Sequence, residues 1–248
     1  MKFLFLGTGA SSGVPVVGCK CSVCKSKNIH NNRLRTSGLL QIDGKNFLID
    51  ASPDIRLNAL EYEIDSLDGV FLTHPHEDHI GGLNDLRPYS FLNQNKQIPL
   101  VLSEVTLNVL HVRFDYLMDR FLLETLKEKR GQAFIKGVEV RYFSYSQQGL
   151  RVNGFRFDKF AYVTDIKDYE EAIFDDLDGV ETLVLGAINE KDSRMHFSIQ
   201  EAIEFKKKNP SVKRCYLTHL SHEVDYETIS KALPEGVMLA YDGLELDV

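Results

Sequence analysis

Gly69-Val70-Phe71-Leu72-Thr73-His74-Pro75-His76-Glu77-Asp78-His79 joins an apolar run to three imidazoles and the Asp78 carboxylate. The run Gly69 to Leu72 reads as a buried strand. So many polar rings at the exit of such a strand would be costly to desolvate unless they shared a partner, and a divalent cation is one. The spacing H-x-H-x-D-H suggests two ions. The alternating His74 and His76 can converge on one, while Asp78 and His79 reach a second, and two ions can clamp and activate one bridging hydroxide.

Outward from this stretch, short apolar, β-branched or aromatic runs alternate with longer helical patterns. Strands are predicted over 2–7, 38–43, 46–51, 69–73, 99–103, 137–143, 154–163, 181–187, 212–218 and 237–247. Helices are predicted within 82–92, 104–129, 168–176, 198–208 and 225–233. The strand-rich first third and far end do not fit a strict βαβ repeat. A mixed two-sheet sandwich with outer helices fits better. Leu107, Leu110, Phe114, Leu117 and Phe121 form a stripe at helical spacing that reads as core packing, and His111 beside it reads as part of that segment. Lys206-Lys207-Lys208 suits a helix C-terminus, and Asp175, Asp176 and Asp178 suit a helix exit.

The chain has 248 residues, 43% of them hydrophobic, 26% charged, with 17 glycines and 7 prolines, an ordinary globular composition that excludes collagen, coiled coil and disorder. A single domain over 1–248 is expected, with no linker. Apolar runs fall far short of the roughly 20 residues that span a bilayer. Met1 to Gly7 is too short in its apolar part for a signal peptide and reads as a first strand, so a cytoplasmic location is expected. Net charge is −7, which disfavours strong nucleic-acid binding. Residues 1–42 nevertheless carry Lys2, Lys20, Lys25, Lys27, Arg33 and Arg35 and no acid, which would suit a small anionic ligand.

Two other strand ends could complete a metal site. Phe160-Ala161-Tyr162-Val163-Thr164-Asp165 ends in a carboxylate, which could equally cap the helix that follows. Cys215-Tyr216-Leu217-Thr218-His219 ends in an imidazole. Separately, Cys19, Cys21 and Cys24 form a C-x-C-x-x-C loop over 19–24, a spacing that in a cytosolic chain favours metal over disulfide. The segment Gly7-x-Gly9-x-x-x-Gly13 differs from a dinucleotide fingerprint by one position, and no acid follows until Asp43, so its glycines are expected to let a tight loop pass near the metal edge.

With these landmarks the sequence resembles the metallo-β-lactamase superfamily, and within it the branch of the phosphoribosyl cyclic phosphodiesterase of phosphonate breakdown. The resemblance runs from Leu6-Gly7-Thr8-Gly9 through the cysteine loop, Leu48-Ile49-Asp50, the His74 loop and Val163-Thr164-Asp165. It continues through His196-Phe197-Ser198 and Leu217-Thr218-His219 to Tyr241-Asp242-Gly243, nearly the whole chain. It implies an α+β fold, an αββα four-layer sandwich of two mixed sheets with metals at one edge. His74, His76, Asp78, His79 and His219 would be terminal ligands and Asp165 the bridge.

Zinc on three thiolates needs a fourth donor for a closed tetrahedral site. The family pattern places it at His222, three residues after His219, whereas Cys215 in its apolar strand reads as a packed thiol. His196 reads locally as a residue of a helix N-terminal turn capped by Ser198. In the resembling family a histidine in this motif lies near the substrate phosphate, where it could protonate a leaving oxygen or hydrogen-bond a phosphoryl group.

The reaction this implies is hydrolysis of a small phosphodiester, such as a cyclic ribose phosphate, by a hydroxide on one or two catalytic Zn2+ or Mn2+ ions. Asp78 would position that hydroxide, and a separate structural zinc would sit in the cysteine loop. An RNA-processing nuclease and a non-catalytic or slow metalloprotein akin to the pyrroloquinoline quinone B-type proteins are the competing readings. A homodimer is compatible with either. One departure stands out. Relatives supply a further histidine to the first metal, but this chain has none between His111 and Asp165, and Gln147 or Gln148 falls at that place. An amide oxygen is a poorer zinc donor than imidazole, so a weaker first site is expected.

Overall fold

Alternate side chains of Phe47-Leu48-Ile49 enter different cores. Phe47 and Ile49 pack in one cluster and Leu48 in another, as the period of two in a strand dictates. The same alternation separates Phe71 from Val70 and Leu72, and Val184 from Leu183 and Leu185. In the computed structural model, which describes residues 1–92, 94 and 96–248, these positions belong to two apposed sheets.

The first sheet holds β1 (Lys2–Gly7), β2 (Ser37–Ile42), β3 (Lys45–Ile49), β4 (Gly69–Phe71), β5 (Ile98–Ser103), β6 (Phe121–Leu126) and β14 (Glu245–Asp247), in the order β14-β1-β2-β3-β4-β5-β6. The second holds β7 (Arg130–Ile135), β8 (Val138–Gln147), β9 (Leu150–Phe157), β10 (Phe160–Val163), β11 (Thr182–Gly186), β12 (Arg214–Thr218) and β13 (Val237–Leu239), in the order β13-β12-β11-β10-β9-β8-β7. Both are mixed. β3 to β6 pair in parallel, as do β10 to β13, and the remaining neighbours are antiparallel.

Helices α1 (Ile55–Glu61), α2 (Glu77–Ile80), α3 (Arg87–Leu92) and α4 (Glu104–Arg113) lie with the first sheet, and α5 (Ile173–Asp176), α6 (Ile199–Lys207) and α7 (Tyr226–Ala232) with the second. The layers are therefore αββα. The layer between the sheets is rich in phenylalanine. Phe3 lies 4.8 Å from Phe160, and Phe71 5.1 Å from Phe155, centroid to centroid, so rings from both sheets interlock. Among the described residues no helix is long and apolar enough to cross a membrane.

Several predicted elements differ. The helix expected over 104–129 stops at Arg113. A 3₁₀ turn follows at Asp115–Arg120, and the chain then forms β6 and, after 127–129, β7. The stripe from Leu107 to Phe121 does pack in the outer core of the first sheet, but Phe121–Leu126 gains a full parallel ladder against β5. That pairing outweighs a periodic pattern that either structure satisfies.

The strand expected over 154–163 is a hairpin, β9 and β10, turned at Asp158, whose φ is 51°. The strand expected over 237–247 divides between the sheets as β13 and β14, with Gly243 at φ 87° on the crossing. The helix expected within 168–176 shrinks to α5, because Asp168 bridges to Ser146 instead. Within 82–92 a 3₁₀ turn at Leu83–Leu86 precedes α3, and α1 and α2 were not foreseen.

Candidate metal centre

Three side chains at the rim of the sandwich share one backbone device. Asp50 follows β3, Asp165 comes two residues after β10, and His219 follows β12, each a non-glycine residue at positive φ, 61°, 52° and 62°. Left-handed backbone costs on the order of 1–2 kcal/mol, least for Asp, Asn and His. Here it turns the chain sharply at the carboxyl ends of parallel strands, where open α/β sheets place their ligands. The fourth contribution is the loop after β4, where His76 directly precedes α2 and Asp78 and His79 lie on it. Asn153 of the second sheet pins this loop through its backbone N–H and Nδ2, which donate to Thr73 O at 2.9 and 3.0 Å.

The donor atoms form two groups that share Asp165: Asp78, His79, Asp165 and His219, all buried, and His74, His76 and Asp165, in which His76 is half-buried. Within each group they lie no more than 4.8 Å apart. Asp165 Oδ2 is 3.2 Å from both His74 Nε2 and His79 Nε2, and Oδ1 is 3.2 Å from His219 Nε2. His74 Nε2 and His76 Nδ1 face each other at 2.9 Å, and Asp78 Oδ2 is 3.4 Å from the Nε2 atoms of His79 and His219.

Hydrogen bonds on the far sides of two rings set their tautomers. His79 Nδ1–H donates to Asp50 Oδ2 at 2.7 Å. The Thr73 hydroxyl donates to the same carboxylate at 2.8 Å and so accepts from His74 Nδ1–H at 2.9 Å. Both rings thus aim Nε2 at the centre. Buried His79 Nε2 has no aligned hydrogen-bond partner despite two nearby carboxylates. An unpartnered buried nitrogen where carboxylates and imidazoles converge fits a shared cation.

The electrostatics agree. Burial opposes ionisation of Asp165 and Asp78, yet the neighbouring imidazoles outweigh it and hold both carboxyls well below the usual range. Burial lowers His79 and His219, but Asp165 and the other carboxylates push both up. Burial lowers His74 and His76, leaving their lone pairs free. Among the described residues no lysine or arginine forms an ion pair with Asp50, Asp78 or Asp165. Positive charge at the site therefore comes from protons on His79 and His219, which a divalent ion would displace.

His196 stands beside this centre. Its ring stacks on His219 with centroids 4.7 Å apart, and Nδ1 is 4.0 Å from Asp165 Oδ1. Burial and His219 push it down to about 4, which suits a neutral hydrogen-bond donor better than a standing imidazolium. Gln147 Nε2 is 3.2 Å from both His196 ring nitrogens. Ser198 does cap α6, in a reciprocal capping box with Glu201.

A second cluster joins Cys19, Cys21, Cys24 and His222, with the three Sγ atoms 3.3, 3.6 and 3.6 Å from His222 Nδ1. The Cys24 amide lowers Cys21 to about 6. Cys215 lies apart in the core, its thiol pushed up to about 12 by burial. His111 is exposed and pairs with Asp115. The glycine loop runs beside His219, with Leu220 N–H donating to Thr8 O at 2.8 Å. A Cβ on Gly7 would meet Arg35 O at 2.1 Å, so only glycine allows that approach.

Sequence reasoning assigned no role to Asp50, although an acid directly after the apolar strand Phe47-Leu48-Ile49 was a signal of the same kind as Asp165.

Residues 45–220 match the family model of the beta-lactamase superfamily domain. The chain belongs to the metallo-β-lactamase superfamily. This superfamily includes metal-dependent hydrolases. The chain is similar over 100% of its length to the crystal structure of a new diphosphatase from the PhnP family, with a TM-score of 0.93, 34% identity and 97% of that chain covered. It is also similar to Zn(2+)-bound PqqB from Methylobacterium extorquens, with a TM-score of 0.83 over the full length of both, where 20% identity shows the fold alone. A Porphyromonas gingivalis protein named octanoyltransferase is 34% identical over 99% of this chain and 51% of its own length. The chain spans about half the length or less of the curated relatives it matches.

Proposed function

We propose that this protein is a hydrolase of small phosphodiesters that works with two divalent ions, and that Cys19, Cys21, Cys24 and His222 hold a separate structural zinc. The observation that carries this reading is Asp165, whose two oxygens lie 3.2 Å from imidazoles of both donor groups. The 34% identical PhnP-family neighbour, described as a diphosphatase, supports phosphorus as the reacting centre.

Bound divalent ions supply Lewis acidity and lower the pKa of water. Around them the chain has three tasks. The Asp78 carboxylate, with Oδ2 turned to His79 and His219, leaves Oδ1 to orient the attacking water. His196, neutral and only partly buried, donates its N–H to a phosphoryl or leaving oxygen. Asp50 and Thr73 hold His79 and His74 in the required tautomers. The cysteine cluster has four protein donors and no open position, which suits structure rather than catalysis.

The net charge of −7 supports a small substrate over a nucleic-acid strand, and free cysteines support a reducing, cytoplasmic setting. The test is hydrolysis of bis(4-nitrophenyl) phosphate, a cyclic ribose phosphate, a nucleoside diphosphate and an RNA transcript, each with added Mn2+ or Zn2+. Turnover of the small diesters well above RNA is expected. Preference for the transcript would make it a nuclease, and no metal-dependent turnover would make it a non-catalytic metalloprotein.

A further inference from the structure

The two donor groups differ in three ways. The group at Asp78, His79, Asp165 and His219 has four protein donors, and the group at His74, His76 and Asp165 has three. The first is wholly buried, whereas His76 of the second is half-buried. The first includes two carboxylates, enough to neutralise a divalent ion, and its His79 is braced directly by Asp50 at 2.7 Å; the second has only the shared Asp165 and reaches Asp50 through the Thr73 hydroxyl. Gln147 at the end of β8 is 2% exposed, contacts through Nε2 the ring of His196, whose Nδ1 is 4.0 Å from the shared Asp165, and leaves Oε1 buried with no hydrogen-bond partner. An orphaned amide oxygen in a native interior requires a partner.

We propose that the two metal positions are unequal by construction. The four-donor position fills first and holds its ion tightly. The three-donor position holds a second ion weakly, takes the Gln147 amide oxygen as its further donor, and discriminates less in favour of Zn2+ over Mn2+, since an amide oxygen suits harder ions. This inference rests on the two-ion reading above. Gln147 would then have two tasks, an oxygen toward the weak ion and an N–H toward His196, so that filling of the weak position and the placing of His196 are coupled.

The experiment is metal counting by mass spectrometry on protein as purified, followed by calorimetric titration with Zn2+ and with Mn2+. Beyond the cysteine-bound zinc, one ion should stay through gel filtration and a second should bind at least about 10-fold more weakly, because loss even of outer ligand-orienting groups costs 10–100-fold in affinity. His76→Ala should abolish the weak step and spare the tight one, and His79→Ala should abolish the tight one. Gln147→His should strengthen the weak Zn2+ step about 10-fold or more. Gln147→Leu should weaken it further, and carries the test if the histidine variant does not fold. Equal affinities in the unmodified protein overturn the inference, as does a weak step that neither Gln147 variant changes. If the folded, cysteine-loaded protein binds no ion at either group, the two-ion reading itself fails and this inference with it.

Discussion

His79 Nδ1–H donates to Asp50 Oδ2 at 2.7 Å, and both side chains are completely inaccessible to solvent. The same carboxylate accepts from the Thr73 backbone N–H and hydroxyl at 2.8 Å each. Asp50 therefore holds His79 directly and His74 through the Thr73 hydroxyl. Asp50→Ala should lower metal affinity at the four-donor group about 10–100-fold. Leaving buried donors unpaired should also cost on the order of 1–3 kcal/mol of stability. Metal titration and urea unfolding of the variant check both, and unchanged affinity would show that Asp50 serves folding alone.

His196→Ala should reduce kcat about 100-fold, the lower range for a positioned proton-transfer or hydrogen-bonding group, with the metal step of the four-donor group retained. His196→Asn, which keeps an N–H donor, should recover part of the loss if hydrogen bonding is its task. Calorimetry beside steady-state kinetics separates this from loss of metal.

Cys21→Ala should release the cysteine-bound zinc and destabilise the fold by on the order of 4 kcal/mol, because a structural metal is among the few features whose removal costs so much. The cluster ties residues 19–24 to the loop of His222, three residues beyond His219, so activity should fall with stability. Normal zinc content and melting temperature with reduced activity would instead mean that the cysteines act in the reaction.

Asp242 predicts a pH dependence away from the metal site. Burial raises its carboxyl to about 6, although Thr8 and Leu34 donate to it at 2.8, 2.7 and 2.6 Å. The folded value exceeds the unfolded one, so the native state binds the extra proton between pH 4 and 6. Stability from this group is greatest below about 4 and falls as pH rises to about 6. Over that window the unmodified protein should lose on the order of 3 kcal/mol relative to Asp242→Asn. Urea unfolding of both proteins at successive pH values measures the difference, and parallel curves would refute it.

Phe3→Ala tests the layer between the sheets. Phe3 packs on Phe5 at 4.9 Å and on Phe160 of the opposite sheet at 4.8 Å, and is fully buried. The cavity should cost about 3–5 kcal/mol in equilibrium unfolding. A loss below about 1 kcal/mol would mean that the sheets can close around the gap.

What the amino-acid sequence determined by itself was whatever depends on near neighbours. The H-x-H-x-D-H spacing is local, so a strand exit crowded with donors was visible before any fold. Short apolar runs such as Phe47-Leu48-Ile49 marked most strands, and the resemblance of ordered motifs led to the αββα sandwich. Tertiary structure alone decided the rest. Phe121–Leu126 became a strand because β5 offered it a ladder, and 237–247 divided between two sheets because Gly243 allowed the crossing. Asp165 and His219 were visible as polar residues that end apolar runs, while Asp50, in the same kind of place, had no role assigned. Their convergence required left-handed backbone at three strand ends and two sheets packed face to face. Metal-donor geometry is a matter of a few ångströms between residues up to 141 positions apart, a distance relation that no local pattern of side chains encodes.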